Sequence, residues 1–275
     1  MMFVLVATLL LVAGEPATEL RFRSLGGLPL VAGRIGDVDA TFVVDTGAHP
    51  CVVDDDLAHR LGLVAHRRRM GHGGAGTFVA SVVDEPPAIR LAGTLAIACR
   101  EMIRIDLEAI GRGLGERIDG VVGADFFVDH VVHIDYDTGT IRRGTRASLG
   151  PPHGVRIPLG IVARRPYVEA RLTVGRHREV RRRLLVDTGS MDGVADALLE
   201  DSGVSTRGAT ALGLGQGAAV RLGRFERVSL GALVVDDVPG SVGPVSLLGA
   251  GFLARFDVEL DYADEAMYLA PREPQ

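Results

Sequence analysis

Apolar positions along this chain come in short runs, rich in Val, Leu and Ala and broken by Gly. "TFVASVV" (77–83), "LAGTLAIA" (91–98) and "VSLGALVV" (228–235) are typical. Short apolar segments bounded by turn residues predict strands, so the pattern is mainly β with a little helix. Two segments read as helices. "DDDLAHRLGL" (54–63) opens on acids and closes at Gly62; "DGVADALLEDSGV" (192–204) opens at Asp192 and closes at Gly203. Acids at the start and Gly at the end are ordinary helix signals. Residues 3–13 form an apolar stretch of 11, short for a span and within the range of a signal-peptide core. That predicts a signal peptide at 1–14, cleavage after Gly14 and export to the periplasm or medium. No other segment is long enough to cross a membrane, so no stable span is expected after cleavage.

The pattern occurs twice. "RIGDVDATFVVDTGA" (34–48) aligns with "RLTVGRHREVRRRLLVDTGS" (171–190): an opening strand, a Gly-bearing turn, then an apolar strand ending in Asp-Thr-Gly. The match resumes later, where "DGVVGADFFVDHVVHIDYDTGTI" sits beside "VSLLGAGFLARFDVELDYADEAMYL". Asp135 follows Gly123 by 12 positions, and Asp261 follows Gly249 by the same 12. Gly123 lies 78 positions past Asp45 and Gly249 62 past Asp187, so the first copy carries extra loop. An internal repeat with ordered motifs predicts two copies of one unit. The expected organisation is an N-terminal lobe over 20–145, a linker over 146–154 and a C-terminal lobe over 155–272.

Each copy ends an apolar strand in a carboxylate. An ionised acid there is costly unless it is paired. Two such acids brought together share one proton, and their repulsion leaves one an acid and the other a base. Asp45 and Asp187 are therefore the candidate catalytic pair for water-driven amide hydrolysis. Thr46 and Thr188 can hydrogen-bond across to the opposite lobe. Gly47 and Gly189 allow a tight turn whose N–H approaches the carboxylate. Ser190 offers Asp187 a further hydroxyl; Ala48, at the matching place, offers Asp45 none.

Through "VVDTGA", "LVDTGS", "GVVGADFF" and "LLGAGFL" the chain resembles the aspartic proteases, specifically the retroviral-type (retropepsin-like) enzymes of bacteria. The resemblance covers nearly everything after about residue 25. It implies two similar β-barrel-like lobes with a few short helices, an endopeptidase acting on a peptide or protein, and no cofactor. It places the segments ending at Gly123 and Gly249 behind the Asp-Thr-Gly turns. With both motifs in one chain, a second chain is not required. The resemblance also implies a glycine-rich hairpin over the substrate. The candidates are "GHGGAGTF" (71–78), with Gly73 and Gly74, and "GLGQGAA" (213–219), with Gly215. Neither carries a tyrosine. A peptide-binding module without activity on the same scaffold is the alternative expectation.

Composition narrows the rivals. The net charge of −5 argues against a nucleic-acid partner. All 30 basic residues are Arg, and without Asn there is no glycosylation sequon. "GHGGAG" lacks the strand before and the helix after that a dinucleotide site needs. No Ser sits in a nucleophile elbow. The eight His are scattered; His130 and His133 fall on opposite faces of an expected strand, so no metal site is expected. The Arg runs at 66–69 and 176–183 read as solvated surface. A third Asp-Thr-Gly at Asp137 has hairpin-turn chemistry and no counterpart in the second copy, so it reads as a surface turn. Cys51 and Cys99 leave a disulfide and two buried thiols equally open.

Overall fold

The computed structural model describes residues 16–73, 76–210 and 219–272. The expected signal peptide lies outside the described residues, as do Gly74 and Gly215. The fold is mainly β. Strand Val38–Val44 shows how the sequence drives it: burial alternates at its start and becomes continuous over Phe42, Val43 and Val44. The strand thus enters the core from one side and is covered on both faces just before Asp45. It pairs antiparallel with Leu28–Ile35 and parallel with Gly120–Val122. In the second half His177–Asp187 does the same with Arg165–Val174 and Leu247–Gly249.

The two halves follow one pairing order. In the first it runs Leu28–Ile35, Val38–Val44, Gly120–Val122, Cys51–Asp54, Met102–Ile105, Gly76–Val82, Arg67–Gly73. In the second it runs Arg165–Val174, His177–Asp187, Leu247–Gly249, Val194–Ala195, Leu233–Ser241, Ala219–Leu230, Arg207–Thr210. Parallel and antiparallel neighbours fall in the same places. Only the second order closes on itself. Leu172 pairs with Val228 as well as Val180, giving a closed six-stranded barrel. In the first half Leu28–Ile35 turns instead to Ile89–Leu91.

A further sheet joins the halves across the expected linker. Its order is Val155–Pro158, Ala266–Pro271, Phe256–Asp261, Val131–Asp135, Thr140–Gly144, Thr18–Leu25. The segment 146–154 runs past it and carries a short helix, Arg146–Leu149, opened by a Thr145/Ser148 capping box. Arg146 then bridges to Glu259 at 2.7 Å and Asp261 at 2.9 Å, tying the connection to the last strands. His133 Nε2 meets Asp257 at 2.7 Å between the central strands of this sheet. That hydrogen bond raises the His133 pKa against the opposing effect of burial. The stability gained is complete below the ordinary histidine value and disappears as pH rises through the raised one. Asp257→Asn should therefore lower the melting temperature at about pH 5.5 and change it little at about pH 9. Equal losses at both would mean that the proton plays no part.

Two expectations resolve differently from one another. The first helix forms over Asp55–Arg60, with Asp54 capping the Asp56 N–H at 3.1 Å. The second does not start at Asp192. Val194 and Ala195 are drawn into the ladder beside Leu248 and Leu247. Only a 3-10 turn, Ala197–Leu199, survives, capped by Asp196. Cys51 and Cys99 form a disulfide that joins positions 48 apart. In the chain-entropy account, a loop of that length contributes about 4 kcal/mol through the unfolded state. Reduction, or Cys99→Ser, should lower unfolding free energy by up to that amount in denaturant titration.

Candidate active site

The two Asp-Thr-Gly turns meet at the junction of the halves, and their threonines interlock. Thr46 Oγ1 donates to the Val186 carbonyl at 2.6 Å and accepts the Thr188 N–H at 3.0 Å. Thr188 Oγ1 donates to the Val44 carbonyl at 2.8 Å and accepts the Thr46 N–H at 3.0 Å. Both side chains are fully buried. Each hydroxyl thus uses its donor and an acceptor site on the opposite turn, with no polar group left over.

This interlock brings the acids together. The Asp45 and Asp187 carboxyls stand close enough that each alters the other's titration. Gly47 N–H donates to Asp45 Oδ1 at 2.7 Å, and Gly189 N–H donates to Asp187 Oδ1 at 2.9 Å. Each glycine also faces the other half's acid. A Cβ on Gly47 would stand 2.6 Å from Asp187 Cγ, and one on Gly189 would be closer still to Asp45 Cγ. No side chain fits between turn and carboxylate.

Behind the turns, Gly120–Val122 with the following Gly123, and Leu247–Gly249, act as props. Asp45 N–H donates to the Val122 carbonyl at 3.0 Å, and Asp187 lies in register with Gly249. A Cβ on Gly123 would strike the Ala48 carbonyl; one on Gly249 would strike the Asp192 carbonyl. Ala124 and Ala250 complete the clasp by donating to the carbonyls of Ala48 and Ser190.

Burial raises the pKa of both acids, but unequally. For Asp45 it is opposed by hydrogen bonds from Asp187 and from the N–H groups of Gly47, Ala48 and Gly189. Asp187 is held well above the carboxylate range, by burial first and then by the charge of Asp45, with Asp192 adding to the effect. The pair therefore titrates as a unit around one shared proton, with the stronger upward pressure on Asp187.

Comparison with known families bears on the first half of this arrangement. Residues 31–126 match the aspartyl protease family. The match takes in Asp45, Thr46, Gly47, Ala48 and Gly123; the second Asp-Thr-Gly lies beyond it. No curated protein matches the chain.

The matched segment includes a hairpin at the first glycine-rich stretch. Arg67–Gly73 and Gly76–Val82 pair from Arg67↔Val82 to Gly73↔Gly76. Gly73 thus ends the first strand, and Arg67–Gly73 is an edge strand. An aromatic that the sequence reading passed over belongs to this hairpin. Phe78 faces Gly71 across the ladder, where its ring occupies the place of a side chain, and it packs with Ala48 on one apolar cluster. In the second half, Arg207–Thr210 and Ala219–Leu230 pair in the matching place, at the edge of the second sheet.

Three other expectations can be placed. Ser190 does not reach Asp187 through its hydroxyl. Ser190 Oγ donates to Asp192 Oδ2 at 3.2 Å and accepts the Asp192 N–H at 3.3 Å, because a carboxylate two residues on closes a local turn. Asp137 lies in the turn after Asp135 and pairs with Arg272, away from the acids. His130 accepts from Arg143 at 3.0 Å while His133 meets Asp257, so the two histidines serve separate contacts. A cavity of about 780 Å³ between Asp55–Arg60 and Glu108–Leu114 contains neither acid of the pair.

Proposed function

We propose that this protein is an aspartic endopeptidase in which Asp45 and Asp187 act as one proton-sharing pair. The observation that carries the reading is the convergence of two half-buried carboxyls, each against the other half's Asp-Thr-Gly glycine, on turns held by interlocked threonines. An extended peptide lies between the acids and the hairpin, pairing its backbone with an exposed sheet edge. Ionised Asp45 takes a proton from water, whose oxygen bonds to the scissile carbonyl carbon. Asp187 gives its proton to the carbonyl oxygen, forming a neutral diol. Asp45 then protonates the amide nitrogen as the C–N bond breaks, and a diol proton returns to Asp187. The pair ends as it began, with no covalent adduct.

The support is chemical. The N–H donors around Asp45 favour its charge, and the neighbouring Asp192 disfavours charge on Asp187. This gives the pH profile a direction: rates fall at low pH as Asp45 is protonated and at high pH as Asp187 ionises. Asp192→Asn removes the added repulsion, so the basic limb should move to lower pH with the acidic limb nearly unmoved. We also place the protein outside the cytoplasm. The Cys51–Cys99 disulfide suits an oxidising compartment, in keeping with the apolar stretch at 3–13. The decisive experiment is digestion of a denatured protein by wild type, Asp45→Asn and Asp187→Asn. Cleavage by wild type alone is expected; equal cleavage by all three overturns the reading. Peptide binding without cleavage would assign a binding module.

A further inference from the structure

The carboxyl pair has an approximate two-fold relation between the halves, but its two flanks are chemically opposite. Each flank is built from a hairpin tip of one half reaching the loop of the other. Leu25 pairs with Leu28 around a two-residue turn, Gly26-Gly27. Val162 pairs with Arg165 around Ala163-Arg164. The turns are equivalent by register: Leu30 opposes Val43, two before Asp45, and Tyr167 opposes Leu185, two before Asp187. All four turn residues have positive φ, which Gly adopts freely and Ala and Arg adopt at a cost.

The first tip lies against Met191, four residues past Asp187, and against Ala250. The second tip sends Arg164 to Asp125 at 2.6 Å, beside His49, four residues past Asp45. Position by position, His49 stands where the other flank has Met191, Asp125 where it has Gly251, and Arg165 where it has Leu28. Asp125 is engaged by Arg164 and by the Arg100 N–H at 3.0 Å, so that pair is neutral. Arg165 is not compensated. It is partly exposed, and among the described residues it has no hydrogen-bond or ion-pair partner; its Nε is buried and unpaired, as is His49 Nδ1. Burial and Arg164 lower the His49 pKa, and Glu101, which also acts on it, pairs with Arg69, so the uncompensated charge of this flank is that of Arg165. The opposite flank presents Met191, 48% exposed, and the carboxylate of Asp192.

We propose that His49 and Arg165 form a carboxylate-selecting subsite: a peptide lying across Asp45 and Asp187 places an acidic group there and an uncharged side chain against Met191. The inference rests on the proposed peptidase reading for the path of the peptide. Attraction at one flank and repulsion by Asp192 at the other make the preference one-sided. The acidic group is an Asp or Glu side chain, or the free carboxyl end of a chain.

The test uses the full chain and peptide pairs that differ only as Glu or Gln at each position within about three residues of the scissile bond. A further pair has a free or amidated C-terminus. kcat/KM is measured for wild type, and Kd on an Asp45→Asn background. Wild type should favour Glu by about tenfold at one position on one side only. Arg165→Met should erase the preference, Arg165→Lys should keep most of it, and Arg165→Glu should turn it toward Gln. A preference confined to the free terminus names the chain end as the source. An unchanged Glu-to-Gln ratio in Arg165→Glu overturns the subsite, as does failure of every peptide to bind. Asp45-dependent cleavage without charge preference sinks the subsite and leaves the peptidase standing. Charge-selective binding without cleavage does the reverse.

Discussion

Asp45→Asn and Asp187→Asn should each cut peptide hydrolysis at least about a thousandfold, and each should make the protein more stable at neutral pH. The activity loss follows from the proton cycle, since one carboxyl cannot be both acid and base. The stability gain follows from linkage. Asp187 has a raised pKa in the folded protein, so it keeps a proton that the unfolded chain has already lost. Between the ordinary Asp value of about 4 and the raised one, the folded state binds more protons, and wild-type stability falls as pH rises. Above that window the full penalty applies; below about pH 4 both states are protonated and it vanishes. Asn at either position removes the mutual repulsion. Melting curves of wild type and variants should therefore diverge above the window and converge near pH 3, to within about a degree. A variant that lost activity and melted lower throughout would mean that the acids hold the fold together.

Much of this site is legible in residue order, for a physical reason. An acid after Phe42-Val43-Val44 or Leu184-Leu185-Val186 ends a strand that is buried on both faces, so it needs a partner. The equivalent strand ending in the other half supplies one. The glycines were legible as close approaches, although what they approach is the other half's carboxylate. Other features depend on distant neighbours. Ser190 was free to bond Asp187 until Asp192 closed a turn on it. Val194 and Ala195 could have started a helix until Leu247 and Leu248 offered a ladder. Phe78 acquires its place only because register sets it opposite Gly71. The sheet that joins the halves pairs Val132 with Leu260, a contact that no local pattern encodes. The disulfide needed Cα atoms 6.0 Å apart, which spacing alone does not establish.

The second large effect belongs to the threonines. Thr46→Val keeps the shape but removes two hydrogen bonds, leaving the Thr188 N–H and the Val186 carbonyl without that partner in a buried setting. Thr188→Val does the same to the Thr46 N–H and the Val44 carbonyl. An unsatisfied buried group costs about 1–3 kcal/mol, so each variant should lose about 2–6 kcal/mol in denaturant unfolding. The double variant should lose less than the sum, because the two hydroxyls support the same pair of turns. Thr→Ser at either place keeps the hydroxyl and should cost far less. Activity should fall further than stability explains, since a carboxyl displaced by about 1 Å can cost a hundredfold in rate. If Val and Ser variants proved equally stable and equally active, packing rather than hydrogen bonding would join the halves. The carboxyls would then owe their closeness to the surrounding sheets and not to the turns that carry them.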